Sequence, residues 1–244
     1  MNSSVDSNDI YDPAFVKGVF DRCSSGYRYW SQVASFGFVW LWRRQCIDRL
    51  PKFHPLNAVG ADLMAGTGET WPHLIKRHPE LKSIVAIDIS SGMVQRAIDR
   101  LHSMRLEKIE IIEADVLKNE LQSNLADFAI CIFGLKTFNR DQQKVIAGQL
   151  ARILKPGGLF SFIEASDPEG WILKGVYRFY LRQFLPLIER LFLRGAQDFA
   201  MLGICAREFG DCGYFASCLI AEGLEVKKQD YFFGCATGVI GRKP

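Results

Sequence analysis

The chain has 244 residues, 48% hydrophobic and 23% charged, with a net charge of +3. That balance fits an ordinary globular protein of the larger α/β kind and is too weakly basic to point to nucleic acid. Seven cysteines, an odd count with no Cys-x-x-Cys pair, argue against a zinc site or disulfide framework and for a reducing, cytoplasmic setting. Residues 1–14 are predicted to be disordered: the first twelve are rich in Ser, Asn and Asp, with neither the basic start nor the apolar run of a signal peptide. No stretch of 18 apolar residues occurs, so no membrane-spanning helix is expected.

Ala14 to Leu50 is dense in aromatics and reads as helix broken near Gly26 and Gly37. Strand-like and helix-like runs then alternate. The strands are Val59–Met64, Ser83–Asp88, Ile109–Glu113, Ala126–Ile132 and Gly158–Glu164; the helices are Thr70–His78, Ser91–Met104 and Arg140–Leu154. Trp171 to Leu193 is apolar and aromatic with interleaved arginines, and Pro186 should kink it. Arg207 to Ala221 reads as one helix stopped by Gly223. Leu224–Phe233 and Ala236–Gly241 read as two strands around a turn at Gly234-Cys235. Such alternation predicts an α/β fold: a doubly wound, seven-stranded, mostly parallel sheet with a C-terminal antiparallel hairpin. Residues 15–50 and 168–206 are left over as a helical lid, within one domain spanning 15–244.

The chemistry is concentrated at strand ends. Asp62 precedes Gly66-Thr67-Gly68 by a few residues, Asp88 lies 20 residues beyond Gly68, and Asp115 follows the third strand. Ligands of open α/β sheets bind at the carboxyl ends of strands, where strand order reverses, so three acids there converge on one crevice. The plainer role for Asp88 or Asp115 is to cap the following helix. A nicotinamide dinucleotide would require a third glycine where this chain has Trp71. Glu69, beside the turn, should also repel a pyrophosphate. A cationic, phosphate-free nucleoside, S-adenosylmethionine, suits the acids better.

Several segments together carry a family resemblance: Asp62-x-x-x-Gly66-Thr67-Gly68, Asp88 with Ser91-Gly92-Met93, Ala114-Asp115, and Leu154-Lys155-Pro156-Gly157-Gly158. The set resembles class I S-adenosylmethionine-dependent methyltransferases. Val19-Phe20-Asp21 through Tyr27, Leu41-Trp42-Arg43-Arg44 and Phe133-Gly134-Leu135 look most like the menaquinone/ubiquinone-biosynthesis C-methyltransferase (UbiE-like) group. The resemblance covers about residues 15–243. It implies that Gly66, Thr67 and Gly68 cradle the methionine part of the cofactor, with Asp62 beside them. Asp88 would hold the ribose hydroxyls. Ile89 and Met93 would lie against the adenine, with Asp115 accepting from its amino group and Val116 donating beside it. Ile132 would lie near the sulfonium, and Tyr27 would reach in from the N-terminal cover.

The departures fall on the acceptor side. Quinone methylators of this group carry Arg-Asn where this chain has Lys136-Thr137, and Tyr-Asp where it has Tyr27-Arg28. Arginine's fork is not reproduced by lysine. Carbon methylation of a hydroxylated ring needs a phenolate or enolate, and Lys136, with Thr137 beside it, is the candidate to favour one by its charge. Tyr177 and Tyr180 are weaker candidates. No metal is required. The expected partner is a small lipophilic or aromatic acceptor, first of all a quinol methylated at ring carbon. An O- or N-methyltransferase of specialised metabolism, or a cofactor-binding homologue that does not methylate, stays open. The segment 171–194 has five basic residues against Glu189, which allows a peripheral contact with an anionic membrane.

Overall fold

A computed structural model describes residues 9–50, 57–167 and 205–244, together with Gly175 and Phe179. The five apolar runs form parallel strands: β1 (Val59–Leu63), β2 (Ser83–Asp88), β3 (Ile109–Glu113), β4 (Ala126–Ile132) and β5 (Leu154–Ala165). β6 (Glu225–Tyr231) and β7 (Ala236–Arg242) add an antiparallel hairpin, and the sheet order is β3-β2-β1-β4-β5-β7-β6. β1 pairs in parallel with both β2 and β4. The chain leaves β1 in one direction and returns on its other side, which opens a crevice above the tips of β1, β2 and β4.

Helices cover both faces. On one side lie α3 (Phe38–Asp48), α4 (Trp71–Arg77) and α5 (Ser91–Met104), with α1 (Pro13–Cys23) packed on α5 and α2 (Tyr27–Ala34) on α3; on the other lie α6 (Arg140–Ile153) and α7 (Gly213–Ala221). Alternation along the strands decides which residue meets which layer. Phe128 and Ile130 pack with Trp71, Leu74, Ala97 and Ile47, whereas Ala129 and Cys131 pack with Ile146, Leu150, Phe215 and Leu219. Helix starts follow local chemistry. Asp12 caps α1 ahead of Pro13, Ser90 caps α5, and Asn139 and Gln142 form a reciprocal capping box on α6.

Three expected boundaries change where the backbone turns left-handed, and β5 starts at Leu154 instead of Gly158. The first strand ends at Leu63, because Met64 has φ of +60°. The helix expected over Arg207–Ala221 is split: residues 205–209 are helical, Gly210 has φ of +69°, and α7 starts afresh at Gly213. A left-handed residue cannot continue a helix. β6 stops at Tyr231, since Phe232 and Phe233 take φ of +42° and +56° in a short 3-10 turn. Of the two lid segments, α1 to α3 account for the first. The second, with Tyr177, Tyr180 and the basic stretch 171–194, lies outside the described residues apart from Gly175, Phe179 and its last two positions, as do residues 1–8. Among the described residues no helix is long and apolar enough to cross a membrane.

Candidate active site

At the tip of β1, Asp62 is 2% exposed and accepts from the Trp71 indole N–H at 2.7 Å. Trp71 is fully buried, and its ring lies against the glycine turn: a Cβ on Gly68 would stand 2.3 Å from it. Gly68 also has φ of +69°. The tryptophan at the third-glycine position therefore packs on the second glycine and ties the turn to β1. Burial pushes the Asp62 carboxyl up to about 7, with Asp88 adding to the rise and the Trp71 hydrogen bond opposing it.

The tip of β2 is joined to the same turn. Asp88 accepts from the Gly66 N–H at 2.7 Å through Oδ2 and from the Ser90 N–H at 2.9 Å through Oδ1. Burial raises it to about 6 against these two bonds. Ile89, Met93 and Val116 give the pocket an apolar wall beside Asp88. Asp115 lines it too while capping the 3-10 turn Val116–Lys118, its Oδ1 accepting from the Leu117 N–H at 2.9 Å. The pocket that runs over these tips encloses about 940 Å³ of space, its open mouth included.

Beyond Thr67 the charge reverses. Glu69 is nearly buried and meets three arginines from three helices: Arg43 of α3 in direct contact, Arg28 of α2 at 3.7 Å and Arg100 of α5 at 3.7 Å. Arg100 also donates to the Thr67 carbonyl at 2.8 Å. Glu69 is thus more than neutralised, and the expected repulsion of phosphate by Glu69 does not hold. Trp71 remains as the obstacle to a dinucleotide.

The other end of the pocket is apolar and aromatic, with Tyr11, Met64, Phe133 and Phe138 in its wall and Ile132 at the strand tip. Met64 and Phe133 end adjacent strands in left-handed conformations, φ of +60° and +67°. Such backbone strain in bulky residues gathers at ligand-contacting positions. Tyr27 and Thr137 bring hydroxyls to this wall; the Thr137 hydroxyl donates to the Gly134 carbonyl at 2.8 Å. Lys136 sits behind the wall. Its Nζ donates to Glu164 Oε1 at 2.9 Å and to the Phe133 carbonyl at 3.0 Å, and its backbone N–H donates to Glu164 Oε2 at 3.1 Å. Burial is the largest single influence and lowers the Lys136 pKa; the charge of Glu164, together with Tyr27 and the Glu164 hydrogen bond, overcomes it, and the net shift is upward. Lys136 is therefore an ammonium, not a base.

Glu164 is not among the candidate site residues read from the sequence, and Arg43 and Glu69 appear there without the ion-pair cluster that joins them. Glu164 carries a readable signal, since it ends its strand run as Asp62 and Asp88 end theirs. The arginines carry none, because their partner is 26 positions or more away in the chain or on another helix.

The family comparison decides what the crevice belongs to: the model of the ubiE/COQ5 methyltransferase family matches residues 5–243. The chain belongs to that family. It is an S-adenosylmethionine-dependent methyltransferase. It is 28% identical over 229 residues to the demethylmenaquinone methyltransferase of Bacillus licheniformis, a match covering 93% of this chain and 96% of that one. Against the demethylmenaquinone methyltransferase of Bacillus cereus the identity is 25% over 230 residues, covering 94% and 95%. The fold is shared with a solved S-adenosylmethionine-dependent methyltransferase of Thermotoga maritima, with a TM-score of 0.62, 17% identity, and coverage of 94% of this chain and all of that one.

The residues present fit this methyltransferase's cofactor. The buried Thr67 Oγ1 lacks a hydrogen-bond partner among the described residues, and the ion-paired Glu69 and Arg43 line the pocket beside it. A ligand carrying both an ammonium and a carboxylate meets an acid and a base there.

Two outcomes follow from the β1 and β2 tips. Gly68→Ala should cost about 2–4 kcal/mol, because a methyl group meets the Trp71 ring in a left-handed residue; a thermal melt should drop by roughly 5–10 °C. For pH, the folded-state pKa values of Asp62 and Asp88 are raised, so the folded protein holds protons that the unfolded chain releases. Their contribution to stability is greatest below the ordinary carboxylate pKa, falls as pH rises toward about 6 and 7, and is flat above. Denaturant titrations of cofactor-free protein from pH 5 to pH 8 should show that decline, and Asp62→Asn should flatten it.

Proposed function

We propose that this enzyme methylates a ring carbon of a lipophilic, quinol-like acceptor. The observation that carries the proposal is the two-ended pocket. One end is lined by acids and the glycine turn; the other is an aromatic chamber to which, among the described residues, Tyr27 and Thr137 bring hydroxyls. The relatives named as demethylmenaquinone methyltransferases favour the same acceptor class.

Asp88 and Asp115 would hold the adenosyl part of S-adenosylmethionine, with Gly66, Thr67, Glu69 and Arg43 at its amino-acid end. When bound, that cofactor supplies a methyl group already activated by a sulfonium, so the protein's main task is alignment. Ring-carbon methylation also needs negative charge on the acceptor oxygen. Burial raises the pKa of Tyr27, with Lys136 and Arg43 opposing, so its hydroxyl stays protonated and donates to that oxygen. Thr137 has committed its hydrogen to Gly134 and offers lone pairs. Lys136, clamped by Glu164, fixes the segment 133–137 that carries both Phe133 and Thr137. It is a positioning residue in this scheme.

Calorimetry with S-adenosylhomocysteine tests the cofactor end. Asp88→Asn should weaken binding by about 10- to 100-fold, the worth of a charge-assisted hydrogen bond. The acceptor end is tested with a reduced short-chain 2-prenyl-1,4-naphthoquinol. The expected product carries one new methyl on ring carbon by NMR, and Tyr27→Phe should lower kcat by about ten-fold or more. A methoxy product would reassign the enzyme to oxygen methylation. No product from protein that still binds S-adenosylhomocysteine would remove the quinol.

A further inference from the structure

Helix α1 completes the pocket. Val16 and Phe20, with Tyr11 and Pro13 just before them, line it together with Ile89 and Met93. Yet only Val19 and Cys23 of its eleven residues are buried. Its polar contacts with the β2–α5 turn and β3 are concentrated in two residues one turn apart, Lys17 and Asp21. Lys17 Nζ donates to the Ile89 carbonyl at 3.0 Å, to Ser91 Oγ at 3.2 Å and to Glu113 Oε1 at 2.6 Å. Asp21 Oδ1 accepts from Ser90 Oγ at 2.6 Å, from the Gly92 N–H at 2.9 Å and from Ser91 Oγ at 3.3 Å.

We propose that Asp21, backed by Lys17, is a positioning residue for the cofactor: it pins α1 over the adenosyl end of the pocket and so governs how fast S-adenosylmethionine and its spent product exchange. Three observations support this. First, the Asp21 contacts go beyond capping α5: Ser90 already accepts from the Met93 N–H at 3.1 Å, whereas Asp21 reaches the Gly92 N–H and two serine hydroxyls from another helix. What they add is a tether between α1 and the β2–α5 turn. Second, the turn is shaped for close approach: a Cβ on Gly92 would stand 3.1 Å from the Asp21 carbonyl and 2.8 Å from Ser24 Oγ. Third, Ser90 serves two acids at once, its N–H on Asp88 and its hydroxyl on Asp21. The carboxylate assigned to the ribose and the carboxylate that holds the cover therefore share one residue. α1 must lift for a nucleoside to pass beneath Val16 and Phe20, and the polar contacts of Asp21 are what lifting breaks.

The proposal rests on the cofactor assignment, and the experiment keeps the two apart. On the full chain, release of labelled S-adenosylhomocysteine is timed after adding excess unlabelled compound, for the wild type, Asp21→Ala, Asp21→Asn and Gly92→Ala. Amide hydrogen exchange over residues 13–23 is followed in the same proteins without any ligand. Asp21→Ala should release the compound about ten-fold faster or more, with association changed less, and α1 amides should exchange faster without ligand. Asp21→Asn keeps an acceptor oxygen and should fall between. Gly92→Ala is the second route: alanine favours helix α5 itself while pushing against α1, so faster release there cannot come from fraying of α5. Release rates within about two-fold of wild type in both alanine variants would overturn the proposal, whatever the amides of α1 do. A wild type that fails to bind S-adenosylhomocysteine would instead overturn the cofactor assignment.

Discussion

The carboxylate of Asp88 gathers separate parts of the chain at one point. One oxygen takes the N–H of Gly66 in the turn after β1, and the other takes the N–H of Ser90 in the turn after β2. Through the Ser90 hydroxyl the same knot reaches Asp21 and the helix that covers the pocket. A carboxylate this buried is costly to ionise, and its raised pKa expresses that cost. The glycine turn, the cover and the apolar wall at Ile89 and Met93 all take their positions from it.

The two ends of the crevice are built by opposite means. At the cofactor end, backbone N–H groups, acids and arginines are held against one another in a partly buried network. At the proposed acceptor end the described wall is apolar, and among the described residues there the Lys136–Glu164 pair is turned away from the pocket and is neutral overall. Removing one partner of such a pair leaves a bare buried charge, which is strongly destabilising. The pair therefore acts as a clamp on the β4 tip, and Tyr27 and Thr137, unlike Lys136, line the pocket.

Much of the fold is legible in the sequence because strand and helix periods are unambiguous there. Ser83–Asp88, Ile109–Glu113, Ala126–Ile132 and Ser91–Met104 coincide with the observed elements. The three strand-tip acids are legible for the same reason, since topology alone sends them to one edge. What escapes is set by backbone conformation or by long-range pairing. Gly210 divides a helix because of its left-handed φ, which apolar periodicity does not reveal. Glu69 reads as a lone negative charge until Arg28, Arg43 and Arg100 arrive from three other helices. Lys136 reads as an available cation until Glu164, 28 positions away, claims it.

Trp71 also constrains how this site can diverge. Its indole is at once the floor beneath Gly68 and the hydrogen-bond donor that satisfies Asp62. Restoring a glycine there, as a pyrophosphate-binding turn requires, would open a void the size of an indole and strand a buried acid. Neither defect can be mended without further changes to β1 and α4. No single substitution leads from this crevice to a dinucleotide site, so its descendants can vary the molecule they modify far more readily than the donor they draw from.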